Sequence, residues 1–177
     1  EQVIEDRKKL EDMFHVIIKG MAYPYGMYND DVVEILRLAG IKYCRTVNET
    51  HEFYIPEDWL RLNPTCHHDD PMLDELVERF LNEDYYWSSS LFYLWGHTFE
   101  FERNDNWDVM DKFMKKVSGR EDIWYATNIE VFEYVQAYKR LEYSVAGQQI
   151  YNPTVTKLWI EIDGKMIEIP AGGYVTC

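Results

Sequence analysis

Residues 88–101, SSSLFYLWGHTFEF, carry a run of five apolar residues, Leu91 to Trp95, that passes through Gly96 into the titratable ring of His97. An apolar run of this length without alternation fits a strand covered on both faces, as in a parallel sheet. Working outward, the same order of elements recurs on either side. Residues 2–15 have the helix pattern, with Val3, Leu10 and Phe14 close to one face. Ile17 to Tyr23 reads as a strand closed by Pro24 and Gly26, and Asn29 or Asp30 caps the helix DDVVEILRLA, which Gly40 ends before the β-rich IKYCRTV. A long loop leads to Asp70-Pro71, an N-cap followed by an N1 proline, which opens the helix PMLDELVERFLN.

Downstream of His97, Asn106 starts the helix WDVMDKFMKKV, Gly119 stops it, DIWYA reads as another strand, and Thr127 or Asn128 caps IEVFEYVQAYKRL. Beyond Gly147 the period changes to two in TKLWIEI, followed by the turn Asp163-Gly164 and KMIEIP, a hairpin signal. Alternating strands and helices predict parallel β/α units over residues 1–147, with a C-terminal β-hairpin extension over 148–177 packed on the same domain. In such folds the ligand-facing groups collect at the C-terminal ends of the strands. His97 is at such an end, just past a glycine that lets the chain turn.

Composition limits the function classes. The chain has 177 residues, 46% of them apolar and 16% aromatic, enough to bury a real core. A formal charge of −14 with no Lys/Arg cluster opposes a phosphate backbone and argues against a nucleic-acid partner. No apolar run approaches the roughly 20 residues of a membrane helix, and the charged start EQVIEDRKKLEDMF has no signal-peptide core. Cys44, Cys66 and Cys177 are odd in number and lack CxxC spacing, which fits neither a disulfide framework nor a zinc ribbon and is compatible with a reducing cytoplasm.

Three short stretches have the chemistry of a site. Position alone leaves His97 either a catalytic ring or a hydrogen bond to a loop carbonyl. Tyr23-Pro24-Tyr25-Gly26 presents a backbone N–H after a rigid proline, suited to an oxyanion, or is simply an aromatic turn. Cys66-His67-His68-Asp69 has ligand chemistry, but adjacent residues do not readily converge on one tetrahedral ion, so no metal site is expected there.

Taken together, GMAYPYGMYNDDVVEILRLAGIKYCRTV, NPTCHHDDP, LFYLWGHTFEF and IWYATNIEVFEYVQAY resemble the C-terminal two-thirds of polysaccharide deacetylases, the carbohydrate esterase group with the nodulation-type deacetylase homology domain. The resemblance implies a distorted (β/α) barrel and metal-dependent hydrolysis of N- or O-acetyl groups on sugar polymers, with a divalent metal, usually zinc, activating water. The family's Arg-x-Pro-Tyr-Gly becomes Ala22-Tyr23-Pro24-Tyr25-Gly26, so Tyr25 would supply the oxyanion N–H, and the arginine's role would pass to a group such as Arg45. Leu94-Trp95-Gly96-His97 resembles the family's late Leu-x-His with one extra residue, making His97 the counterpart of the general acid. Asp58-Trp59 loosely resembles the acidic-aromatic loop lining the groove. Trp59 and Trp95 would then stack on sugar or be ordinary core aromatics, with Tyr23, Pro24, His67 and His68 beside them at the groove.

Two family motifs have no match, the Thr-Phe-Asp-Asp-Gly strand end and the pair of spaced histidines that together supply the base and the metal triad. The expectation is therefore a partial barrel without its first strands, holding no zinc by itself. It would pair with a missing N-terminal segment or form a homodimer, and would act on an acetylated carbohydrate only in complete form. The alternative is a non-catalytic carbohydrate-binding or half-barrel assembly module.

Overall fold

The computed structural model describes residues 1–82 and 89–176; Ser88 of the opening stretch and Cys177 lie outside them. The chain divides into two compact units, Glu1–Tyr125 and Ala126–Cys177. The helix following Thr127, which the alternation groups with the preceding β/α units, belongs to the second. Among the described residues the architecture is mixed α/β with six helices and small sheets, none of them closed into a barrel.

The first unit opens with α1 (Gln2–Phe14), β1 (Gly20–Ala22), α2 (Asp30–Leu38) and β2 (Tyr43–Arg45). The start of α2 is fixed as the sequence predicts: the Asn29 side chain accepts a hydrogen bond from the Val32 N–H at 2.9 Å. Val33 and Leu36 bury the inner face of α2 against Tyr23, Ile41, Cys44 and Leu60, while Gly40, at φ +83°, takes the chain out of the helix. β1 and β2 pair in parallel, Met21 opposite Cys44.

Arg45 bridges Leu62 in parallel, with Leu62 N–H donating to Cys44 O at 3.0 Å and Thr46 N–H to Leu62 O at 2.9 Å. Past a bend at Thr65 comes β3 (Cys66–His67), which pairs in parallel with β4 (Leu94–Trp95). β1 and β2 run one way, as do β3 and β4, and Arg45 at the end of β2 reaches the ring of Trp95 at the end of β4. Between β3 and β4 lies α3 (Leu73–Asn82), whose Leu73, Leu76 and Val77 are buried with Phe53 and Cys66. Burial of these side chains, at roughly 1.5–3 kcal/mol for each large apolar group, is what holds the strand ends in place.

After β4 come α4 (Thr98–Asn104) and α5 (Asp108–Val117). The sequence pattern gave no warning of α4. Asn106 does not cap α5 with its side chain; its Nδ2 donates instead to Asp69 Oδ1 at 3.0 Å, and Trp107 is already helical. The strand expected at 122–126 does not form. Tyr125 instead turns its hydroxyl back to donate to Val117 O and to accept from Arg120 N–H. The other strands are shorter than their apolar runs because only the paired residues are held in register.

The second unit contains α6 (Asn128–Tyr138), with Thr127 as N-cap and Glu130 accepting the Thr127 N–H at 2.7 Å. Two short strands, β5 (Glu142–Tyr143) and β6 (Gln149–Tyr151), follow it. The expected hairpin is present as β7 (Leu158–Ile162) and β8 (Lys165–Ile169), joined by Asp163 and Gly164 at φ 51° and 74°, the positive pair a tight hairpin turn requires. A last strand, β9 (Tyr174–Thr176), pairs with β6. Ala137, Leu141, Ile150, Leu158, Ile160 and Ile169 form the core of this unit. Among the described residues no helix is long and apolar enough to cross a membrane.

Candidate functional site

The strand ends of β3 and β4 bring five polar side chains together. β3 delivers His67, and the chain continues through His68, whose N–H donates to Trp95 O at 2.9 Å, into Asp69. β4 ends at Trp95, turns at Gly96 and enters α4 at His97. Three residues along that helix is Glu100, one turn above His97 on the same face.

Glu100 is the hub. Its Oε2 accepts the His97 backbone N–H at 2.9 Å and lies 3.1 Å from His97 Nδ1 and 3.2 Å from His67 Nε2. His68 Nε2 lies 3.8 Å from the same oxygen and 3.3 Å from Asp69 Oδ1. Asp69 is held from the far side by the amides of Asn104 and Asn106, at 3.1 and 3.0 Å. The His67 and His68 rings are 4.1 Å apart, His68 packs on Phe101 at 4.1 Å, and Trp95 meets the His67 ring at 4.7 Å. Arg45, from the end of β2, lies 4.5 Å over the Trp95 ring.

Burial grades the cluster. The His97 side chain is 48% exposed, those of His67 and Glu100 only 17% and 15%, and that of His68 2%. Burial pushes the Glu100 carboxyl up, but the hydrogen bonds from the His97 N–H and ring, with the charges of His67 and His97, outweigh it and hold the group below the usual carboxylate range. Burial, and then the neighbouring His67, push His68 below the ordinary imidazole value, in spite of Asp69 and Glu100. The chemistry available is that of an ionised carboxylate orienting histidines. With His97 Nδ1 turned to Glu100, Nε2 is left for proton exchange at the surface.

Of the residues singled out in the sequence, His67, His68, Trp95 and His97 come together here. Tyr25 lies past the end of β1, in a short 3₁₀ turn over Pro24–Gly26; it is 94% exposed and has a left-handed backbone (φ 55°), with Gly26 N–H bonded to Tyr23 O at 3.0 Å. Tyr23 and Trp59 lie elsewhere, in the core. Tyr23 is 3% exposed with its hydroxyl donating to Leu60 O at 2.8 Å, and Trp59 is 6% exposed, so a sugar ring reaches neither without displacing core residues. Glu100 went unremarked in the sequence, and Asp69 was noted only for its ligand chemistry beside the two histidines. The signal for Glu100 was there in the His-x-x-Glu spacing of residues 97–100, which puts both groups on one helical face.

Comparison with protein-family models, curated proteins and solved structures finds no match to this chain.

Proposed function

We propose that the chain carries the leaving-group side of a polysaccharide-deacetylase-like site on a partial (β/α) barrel wall, and that in complete form it hydrolyses N- or O-acetyl groups of a carbohydrate. His97 is the observation that carries this reading: an accessible imidazole one residue beyond a parallel strand, with Nδ1 on an ionised Glu100. Cleaving an acetamide needs a proton for the departing nitrogen, a donor for the oxyanion and an activated water. His97 Nε2 supplies the first. The Tyr25 N–H, past the end of β1, supplies the second. Trp95, braced by Arg45, offers an aromatic surface beside them, and Arg45 is the cation nearest in kind to the family's arginine.

The residues present do not fit the family's metal triad, because neither the Asp-Asp strand end nor the spaced histidine pair has a counterpart here. Water activation in this reading therefore comes from another segment or a second copy of the chain, covering the unpaired edge of the parallel strands. The test is saturation-transfer NMR of the chain with N-acetylated chito-oligosaccharide, using the deacetylated oligomer as reference. Contact at the acetyl methyl, lost in His97→Ala, is the expected result. Absence of any acetyl contact at millimolar sugar overturns the reading.

A further inference from the structure

His68 is an anomaly that the deacetylase reading leaves unused. Its side chain is 2% exposed, yet among the described residues neither ring nitrogen makes a hydrogen bond. A buried imidazole without partners is costly, and native proteins seldom keep one without a reason. The ring is aimed by its packing: Nδ1 faces Gly96, where an added Cβ would sit 1.8 Å away, so Nε2 turns to the opposite side, toward Asp69 and Glu100. There it is within reach of both carboxylates but not aligned for a hydrogen bond with either. Lone pairs that converge on a common point, instead of on one another, are the arrangement of metal ligands.

Three of the ligand-atom distances come close to that arrangement. With metal–nitrogen and metal–oxygen bonds of about 2.0–2.2 Å, tetrahedral ligand atoms are about 3.4 Å apart. His67 Nε2 to Glu100 Oε2 is 3.2 Å, His68 Nε2 to Asp69 Oδ1 is 3.3 Å, and His68 Nε2 to Glu100 Oε2 is 3.8 Å. His67, His68 and Asp69 each offer a ligand atom within 4.8 Å of the other two, and Glu100 stands in the same relation to His67 and His97, so it joins the first three by closing on the ion. The outer contacts are also in place: Asn104 and Asn106 hold the Asp69 carboxylate, and His97 holds that of Glu100. The adjacency of His67, His68 and Asp69, which argued against convergence in the sequence, is resolved by the chain turning after β3, so that consecutive rings lie 4.1 Å apart and tilted by 34°.

We propose that His67, His68 and Asp69 hold a divalent cation of the zinc class, with the Glu100 carboxylate closing on the ion as the fourth ligand, a site distinct from the metal triad of the deacetylase family. Two imidazoles with two carboxylates suit zinc better than calcium or magnesium. Protein groups fill all four positions, so the site leaves no coordination position for water, and its role is to tie the ends of β3 and β4 to α4. Binding replaces the proton between His67 Nε2 and Glu100, and it requires the His67 ring to carry its remaining proton on Nδ1. The ring then gives up the Asp69 N–H, now 3.2 Å from Nδ1. Metal uptake therefore releases protons and weakens as the pH falls.

The experiment is a titration of the chelator-stripped chain with ZnCl₂ by calorimetry at neutral pH, with CoCl₂ absorption as a second measurement and no sugar present. The expected result is one Zn²⁺ per chain and an intense tetrahedral Co²⁺ spectrum that Zn²⁺ abolishes. Affinity should fall at least about tenfold in His67→Ala and in Glu100→Gln and stay unchanged in His15→Ala. No saturable binding below about 100 μM Zn²⁺, or binding indifferent to both ligand substitutions, overturns the site. If the variants do not fold, the weak octahedral Co²⁺ spectrum in the unaltered chain overturns it equally. Because the readout involves no acetylated substrate, failure of the deacetylase reading leaves this result standing, and the converse also holds.

Discussion

Gly96 and His68 are packed so closely that a methyl group at position 96 would lie 1.8 Å from the His68 Nδ1 and 2.6 Å from its Cε1. The glycine between strand and histidine is therefore there for space as well as for turning. It lets a buried imidazole from the end of β3 occupy the volume beside β4, which aims His68 at the carboxylates.

Gly96→Ala should accordingly be among the more damaging single-atom additions in the first unit. Relief requires the His68 ring to move, but that ring is wedged against Phe101 and His67. A loss of at least about 2 kcal/mol is expected, typical of overpacking at a site that cannot give. Urea unfolding of the variant measures it. A midpoint within error of the parent would show that the ring repacks at no cost.

The functional reading makes a kinetic prediction. The 177-residue chain by itself should release no acetate from acetylated chito-oligosaccharide above the buffer rate, because the base and metal motifs of the family have no counterpart in it. In a form complemented with those motifs, His97→Ala should lower kcat by about 10²–10⁴-fold, the usual contribution of a positioned acid. A coupled acetate assay checks both, and an unchanged kcat would make His97 a structural residue only.

Cys44 and Cys66 are both fully buried, and burial pushes each thiol up to about 12. Only about one molecule in 10⁴ then carries the thiolate at pH 8, and reagent access is blocked as well. Native protein should leave both unalkylated by iodoacetamide, and both should react at once in denaturant. Peptide mapping distinguishes the two states, and native labelling at Cys66 would mean that the β3 end opens readily.

The hairpin and the helices other than α4 were legible because their signals are local. Asn29 and Thr127 cap as their side chains dictate, and Asp163-Gly164 turns the hairpin through two positive φ values. The strands were legible only as apolar runs. Where pairing stops depends on neighbours distant in sequence, so Leu91–Trp95 yields a paired strand of two residues and 122–126 yields none. The site was half legible for the same reason. His97 stood out at the end of an apolar run, but the hub role of Glu100 arises from β3 lying beside β4, which brings His67 within 3.2 Å of it across 33 residues of sequence. Trp59, left open between sugar stacking and the core, and Tyr23, expected at the groove, are both core, since composition alone does not say which face of a loop is covered.

A last prediction concerns acid stability and rests on Asp70. Its side chain is 8% exposed, accepts the Met72 N–H at 2.7 Å as the cap of α3, and lies 2.6 Å from His51 Nε2, with Glu49 in the same cluster. Burial pushes its carboxyl up, but the Met72 N–H, His51 and Glu49 together hold it below the usual aspartate value. A carboxyl depressed in the folded state contributes stability that is fully present above its unfolded pKa, about 3.9, and disappears as the pH falls through the lower folded value. Asn at this position can still accept the Met72 N–H, so Asp70→Asn removes the charge while keeping the cap. The variant should be less stable than the parent by about 1–2 kcal/mol at pH 7, the scale of a hydrogen bond to a charged group. That difference should shrink progressively below pH 4 as the parent protonates. Urea midpoints at pH 7 and pH 3 give the comparison; a deficit that persists undiminished at pH 3 would assign the cost to lost packing or capping instead of to the charge.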